Sequence, residues 1–231
     1  MEKWHKLFNF QQKHLRMSSL TTYYKKRNFK KTSEPKGSEK GSDNQGIFVV
    51  QKHDASHLHY DFRIEVKGTL KSWAVPKGPS MNPKDKRLAM MVEDHPYSYK
   101  DFEGTIPEGS YGAGNVIVWD NGTYIESHGD DPSKSESAIA AGILKGHISF
   151  VLKGKKLKGE FSLIKMRGKQ ENAWLLVKKE DKYAVDTDIL LKDRSVITKK
   201  KLAERKKPAS KLTAKKTISL KKKVLKLPVM S

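Results

Sequence analysis

The densest chemistry in the chain lies in one run, His57-Leu58-His59-Tyr60-Asp61-Phe62-Arg63-Ile64-Glu65. Apolar and polar side chains alternate without a break, the period of a strand with one buried face. Leu58, Tyr60, Phe62 and Ile64 are expected to enter a core. His57, His59, Asp61, Arg63 and Glu65 are expected to share the opposite face. A solvated strand face carries Lys, Glu, Thr and Ser, whereas two histidines with an Asp and an Arg are the mixture of a site. Alternate strand positions stand about 7 Å apart, so the side chains of His59 and Asp61 can converge on one ion. Arg63, one step further, offers a forked donor suited to phosphate. The face reads as a metal site with an anion clamp beside it.

His53 lies six residues before His59, at the end of the preceding apolar run. A hairpin-like return would bring the two together and give His53, His59 and Asp61 as ligands. Two imidazoles and a carboxylate with open positions suit a divalent ion such as manganese or zinc. His57 shares the face of His59 but sits where the strand starts, which disfavours it as a ligand. His95, between Asp94 and Pro96, is a loop histidine at a strand end, where catalytic groups often sit. His5, His14, His128 and His147 lack supporting neighbours and read as structural.

Short strands must position these groups. The pattern predicts strands over 47–51, 57–66, 71–75, 87–93, 148–152, 159–166 and 173–179. Strands over 115–119 and 123–126 flank Asp120-Asn121-Gly122, a hairpin signal because Asn-Gly adopts positive φ. One helix is expected over 135–144, stopped near Gly146. Many short strands with Gly and Pro between them argue for a mainly β fold, a compact antiparallel barrel with a few short helices. No Gly-rich loop joins strand to helix as a dinucleotide fold requires. Gly109, Gly112 and Gly114 precede no Lys-Ser/Thr, so they read as a tight turn rather than a phosphate loop.

Charge divides the chain. The formal net charge is +21 over 231 residues. Residues 1–40 hold eleven Lys/Arg against three acids, and residues 196–231 hold thirteen against one. The remaining 41–195 carry 23 basic and 22 acidic residues, so a near-neutral domain lies between two basic arms. Such arms bind polyanions through counterion release, which favours nucleic acid as partner. The expected organisation is an extension over 1–21, disordered or preceding a true start near Met17. A basic arm over 22–46 follows, then a barrel over 47–195 and a flexible lysine-rich tail over 196–231. There is no cysteine, hence no disulfide framework or thiolate site. No apolar run reaches membrane-span length and no signal-peptide core is present. A cytoplasmic, nucleoid-associated monomer is the expectation.

At this point the residues resemble a known family. Phe48-Val49-Val50-Gln51-Lys52-His53 and Leu58-His59-Tyr60-Asp61-Phe62-Arg63 are similar to the 3′-phosphoesterase domain of bacterial DNA ligase D. The similarity continues through Leu70 to Ser80, Val92-Glu93-Asp94-His95-Pro96, Asp101 to Gly109 and Tyr111-Gly112-Ala113-Gly114, with a weaker match at Trp174 to Lys178. The resemblance implies a manganese-dependent β-barrel enzyme that trims a terminal 3′-ribonucleoside and then removes the 3′-phosphate. It implies DNA or mixed DNA/RNA 3′ ends as substrate and end-joining repair proteins as partners. It implies His53, His59 and Asp61 as metal ligands, with Arg63 and His95 on the scissile phosphate and Tyr99 close by. Gln51, Lys77, Arg87 and Glu93 fall at positions the family uses around the site. Arg27 and Glu34 resemble an Arg-Asp-Phe…Thr-x-Glu-Pro element that folds back over it, with Asn28 departing from the family's acid. No ligase or polymerase signature accompanies these motifs, so a free-standing version is expected.

Two other classes are open to test. His59-x-Asp61 with a distant histidine, His95, His128 or His147, would also suit a facial-triad iron oxygenase. A non-catalytic DNA-binding protein on a spent barrel is the other. For the phosphoesterase, His95 has two candidate roles, steadying the phosphate or protonating the leaving oxygen.

Overall fold

The computed structural model describes residues 20–37, 41, 46–129, 132–168 and 170–203. Ten strands are present among them: β1 (Ile47–Asp54), β2 (Leu58–Val66), β3 (Thr69–Val75), β4 (Lys86–Met91), β5 (His95–Pro96), β6 (Gly104–Ile106), β7 (Gly114–Glu126), β8 (His147–Gly154), β9 (Lys158–Lys165) and β10 (Ala173–Lys178). Two α-helices accompany them, α1 (Thr21–Lys25) and α2 (Pro132–Lys145). The strand order β1-β2-β3-β4-β10-β9-β8-β7 closes through a β7–β1 pairing into an eight-stranded antiparallel barrel. β5 adds to β3 and β6 adds to β7. Closure leaves no long unpaired edge in the barrel.

The alternation seen in the sequence sorts side chains between the two surfaces of this barrel. Phe48, Val50, Tyr60, Phe62, Ile64, Trp73, Phe150, Phe161 and Trp174 fill the interior. Phe62 stacks between Phe48 and Phe150, with ring centroids 6.2 and 5.6 Å away. Burial of each such ring stabilises the fold by roughly 2 kcal/mol. Ile139 of α2 joins the same cluster. A second apolar layer lies on the outside of β1, β3 and β7. It comprises Val49, Leu70, Val116 and Val118 from the barrel, covered by Leu20, Tyr23, Tyr99, Phe102, Ile106 and Val196.

This second layer explains a departure from simple alternation. From Tyr60 to Val66 every residue of β2 is buried, on both faces, because the outer face is roofed. Leu58, expected in the core, is 47% exposed. It begins the strand at the barrel's rim, where neither layer reaches it.

The expected hairpin at Asp120-Asn121-Gly122 does not form; β7 runs unbroken through it. β1 pairs along β7 from Asn115 to Thr123, with a register shift between Val50 and Gln51. Asp120 is buried and accepts the backbone N–H groups of Lys155, Lys156 and Leu157. Gly122 allows β8 to pass closely, since a Cβ there would lie 2.2 Å from the Lys153 carbonyl oxygen. The turn signal was the signature of a close crossing and of a neighbouring turn held from the side.

The folded unit passes the expected boundary at residue 195. Val196 is buried and its N–H donates to the Val118 carbonyl at 2.9 Å, while Arg194 bridges to Lys201. Of the expected extension over 1–21, residues 1–19 lie outside the described residues, as does most of the tail, 204–231, while Leu20 is buried and Thr21 opens α1. Among the described residues no helix is long and apolar enough to cross a membrane.

Candidate active site

The antiparallel register of β1 and β2 sets Gln51 opposite Asp61 and His53 opposite His59. The β2–β3 register sets Ser72 opposite Arg63. Residues directly opposite share a face, so these six side chains meet on the outside of the barrel, under the second apolar layer. The His59-x-Asp61-x-Arg63 alternation thus delivers the polar row that the sequence implied, with burial in place of solvent.

His53, His59 and Asp61 each offer a ligand atom, and these atoms lie within 4.8 Å of one another. His53 Nδ1 is 3.6 Å from one Asp61 oxygen and His59 Nε2 is 3.7 Å from the other. The opposite nitrogens face carbonyls: His53 Nε2 meets Gly112 O at 2.9 Å and His59 Nδ1 meets His57 O at 2.9 Å. A carbonyl only accepts, so those nitrogens carry protons, and the nitrogens left facing the carboxylate are the ones available to an ion. Two imidazole nitrogens and a carboxylate converging on one point suit a cation between them. Backbone carbonyls holding the far nitrogen are the usual support of metal-ligating histidines. The donor set fits a divalent ion of intermediate softness, manganese or zinc. His57 contributes its backbone oxygen, and its side chain is exposed.

Arg63 is 3% exposed and its guanidinium is held on three sides. Nε donates to Gln51 Oε1 and one terminal nitrogen to Ser72 Oγ, both at 2.8 Å, and the other to Asp61 Oδ2 at 3.1 Å. Gln51 is fixed in turn, since its amide donates to the carbonyls of Tyr99 and Phe102 at 3.0 and 2.9 Å. Burial alone would raise the Asp61 carboxyl's pKa; Arg63 and the two histidines hold it well below the usual carboxylate range instead.

The N-terminal arm closes over this row. Arg27 donates to Glu34 at 2.8 Å, to Glu93 at 3.1 Å and to His95 Nε2 at 3.1 Å, and its guanidinium lies 3.8 Å from the centroid of the Tyr23 ring. Lys26 completes Glu93 at 3.0 Å and donates to the Tyr111 hydroxyl at 3.1 Å. Glu34 also accepts from Tyr99 Oη at 2.9 Å and from Thr32 Oγ1 at 3.0 Å. His95 Nδ1 donates to the Glu93 carbonyl at 2.9 Å. Burial first, then Arg63 and Arg27, drives the His95 pKa well below its ordinary value. His95 Nε2 therefore accepts from Arg27, and the proton on Nδ1 is held by the Glu93 carbonyl. It sits in the short strand β5 rather than in a loop. Tyr99 spends its hydroxyl on Glu34, and burial with that carboxylate beside it raises the phenol's pKa well above normal.

Of the expected site residues, Arg27, Glu34, Gln51, His53, His59, Asp61, Arg63, Glu93, His95 and Tyr99 form this one connected network. Lys77 and Arg87 stand apart from it. Lys77 is exposed in the β3–β4 turn. Arg87 donates to Asp85 at 2.9 Å from β4, opposite Leu176, a residue of the interior cluster. Asn28 does not face the site; its exposed side chain accepts from the Lys30 N–H at 3.1 Å, as an Asp would. The oxygenase alternative needed His95, His128 or His147 beside His59 and Asp61. His95 is occupied by Arg27 and Glu93, and His128 and His147 are exposed.

Sequence reasoning missed Ser72, Lys26, Tyr23 and Gly112. Ser72 was findable by parity, as the residue two positions after Leu70 on the strand beside Arg63. Gly112 read as turn punctuation, and it is in a turn with φ of 74°. Its function comes from the carbonyl, and composition carries no signal for that.

Residues 51–165 match the family model of the DNA ligase D 3′-phosphoesterase domain. The chain is 51% identical over 194 residues to the multifunctional non-homologous end joining protein LigD of Pseudomonas aeruginosa, covering 80% of this chain and 22% of that protein. It is 40% identical over 173 residues to the multifunctional non-homologous end joining DNA repair protein LigD of Mycobacterium tuberculosis, covering 74% and 21%. With the LigD of Mycolicibacterium smegmatis it shares 39% identity over 169 residues, covering 70% and 21%. The chain spans about a fifth of the length of these relatives. A closed barrel, a two-histidine-one-carboxylate cluster beside a buried arginine, and this match together place the chain in the DNA ligase D 3′-phosphoesterase domain family.

Proposed function

We propose that the protein is a divalent-metal-dependent phosphoesterase that heals nucleic-acid 3′ ends in end-joining repair. It removes a terminal 3′-ribonucleoside by phosphodiester cleavage and then the remaining 3′-phosphate. The observation that carries the reading is the convergence of two imidazole nitrogens and the Asp61 carboxylate beside a buried, pre-positioned Arg63. The relatives named for end joining support the repair context.

His53, His59 and Asp61 would hold the ion, with manganese proposed and zinc as the alternative. Such an ion supplies charge to phosphate oxygens and lowers the pKa of bound water. Arg63 offers one further N–H on each terminal nitrogen to the non-bridging oxygens. Its other donors are fixed by Gln51, Ser72 and Asp61, so it need not reorganise as charge develops. Gln51 and Ser72 are positioning residues for Arg63. His95, Glu93 and Glu34 position Arg27, and Tyr99 positions Glu34. Lys26, Arg27 and Arg63 are matched by Glu93, Glu34 and Asp61, so the protein's own charges nearly cancel at the site. An anionic phosphate is therefore drawn by the added ion and by the basic surfaces around the barrel. His59 and Tyr111, both partly exposed, mark the open side where an end can enter.

The test is a gel assay on a primer–template ending in one 3′-ribonucleotide, with manganese, zinc, magnesium or chelator. Stepwise loss of the ribonucleoside and then the phosphate, restored by manganese after chelation, is the expected result. Retention of DNA in a shift gel with no cleavage under any metal would make this a binding protein instead.

A further inference from the structure

A pocket of about 400 Å³ lies between the β8–β9 turn and segment 191–199. Its lining includes Lys155, Lys156, Lys192, Arg194 and Lys199, with Asp193 the acid among them. Asp193 is already paired with Lys201 at 3.0 Å. Concentrating like charges costs stability, so it needs a scaffold that imposes it, and two bonded devices do. The Asp120 carboxylate fixes the turn by accepting the N–H groups of Lys155, Lys156 and Leu157 at 3.0, 2.9 and 2.7 Å. Lys156 then ties the turn to the segment, donating to the carbonyls of Lys192 and Arg194 at 2.6 and 2.7 Å. Its ammonium lies 4.4 Å from the centroid of the Trp119 ring, and burial lowers its pKa to about 8. The side chains of Lys155 and Lys192 are exposed, and that of Arg194, also exposed, spends one donor on the Lys199 carbonyl at 3.2 Å.

We propose that this pocket binds the phosphodiester backbone of the nucleic acid whose 3′ end occupies the centre formed by His53, His59 and Asp61. The proposal rests on the function argued above. One row of the fold links the two places. Val118 of β7 is paired with Gln51 on one edge and accepts the Val196 N–H at 2.9 Å on the other. Two strand spacings put the pocket's wall about 10 Å from the residue that positions Arg63. Asp61, opposite Gln51 on β2, is one spacing further, about 15 Å from the wall, or about four nucleotides along one strand at a rise of about 3.4 Å. An acidic peptide is the rival polyanion, and nothing in an arbitrary peptide relates it to the active site at this spacing. Beyond Ala203 the sequence adds ten Lys/Arg against one acid.

The experiment uses the full chain and a short duplex with a 3′-ribonucleotide end, with binding read by fluorescence anisotropy from about 50 to 200 mM salt. The variant K155E/K192E is expected to bind roughly tenfold more weakly at the low end, with a log–log salt slope shallower by about 1.8, two phosphate contacts' worth. K155Q/K192Q should fall between it and the parent. The control K145E/K165E, with the same charge change at exposed positions elsewhere, should change the slope by less than half as much. All variants should cleave a dinucleotide bearing a 3′-phosphate at the parent rate. A slope unchanged in K155E/K192E, or equally changed in the control, overturns the pocket. A parent chain that cleaves neither substrate defeats the phosphoesterase reading separately, because the binding slope does not depend on turnover.

Discussion

His59 Nδ1 lies 2.9 Å from the carbonyl oxygen of His57, and this bond decides which ring nitrogen faces Asp61. A proton must sit on Nδ1, so it is Nε2 that looks at the carboxylate 3.7 Å away. Gly112 sets His53 in the same sense from the other side. His59→Ala and Asp61→Ala are therefore expected to lose manganese affinity by more than the roughly 100-fold typical of supporting residues, measured by calorimetry. The two should differ in stability. His59→Ala should stay within about 1 kcal/mol of the parent in urea unfolding. Asp61→Ala strands the buried Arg63 charge and should cost about 3 kcal/mol or more. Parent-like metal affinity in either variant would remove the ligand assignment.

His95 gives the stability a pH signature. Folding holds this imidazole neutral, with its pKa well below the ordinary value of 6.5, through burial and the nearby Arg63 and Arg27. The unfolded chain takes up a proton as pH falls through about 6.5, and the folded chain does not. Stability contributed by the neutral ring is thus present above that pH and is lost as pH falls below it. His95→Gln, which can still accept from Arg27, should unfold with a weaker pH dependence than the parent between about 7.5 and 5.5. Parallel curves of melting temperature against pH for the two proteins would show that His95 is not held neutral.

The barrel and its central row were legible because β2 announces itself by strict alternation, and strand pairing then brings His53 to His59 without further information. The mixture of His, Asp and Arg on one face was enough to mark a candidate site before any fold was known. What the sequence hid was the second layer. Tyr23, Tyr99, Phe102 and Val196 come from three separate segments, and no local period shows that they cover one face of β1, β3 and β7. The same non-local cause misled at Asp120 and Gly122, whose preference for turns is real but whose use here is set by β8 and by the turn that follows it. Arg87 shows the limit of position-by-position resemblance. It falls at a position the family uses around the site, yet β4 parity turns it to the side of Leu176 and away from the network.

Asn28 is where the arm departs from the family pattern, and the structure makes that departure small. Its side-chain oxygen accepts from the Lys30 N–H at 3.1 Å and its carbonyl accepts from Lys31 at 2.8 Å, closing a turn that Asn and Asp form equally well. The groups that reach the site, Arg27 and Glu34, lie on either side of that turn. Asn28→Asp should leave stability within about 0.5 kcal/mol and cleavage rates within about twofold. A large gain in turnover would mean that the acid acts on the site directly, against the outward placement of this side chain.

Asp120 holds the β8–β9 turn from a neighbouring strand, and the cost of losing it can be argued from its bonds. Three backbone N–H groups point at one buried carboxylate, and burial raises its pKa even against those donors. Asp120→Ala leaves the three donors without that acceptor and should cost about 3 kcal/mol in urea unfolding. Asp120→Asn keeps one oxygen for Lys155 and Lys156, which both bond Oδ1, and turns an amide N–H toward the Leu157 N–H. That substitution also relieves the desolvation of a charge, so its cost should be smaller, about 2 kcal/mol. The order Ala worse than Asn is the discriminating result. The reverse order would mean that packing volume, rather than the fan of hydrogen bonds, is what Asp120 supplies to the turn.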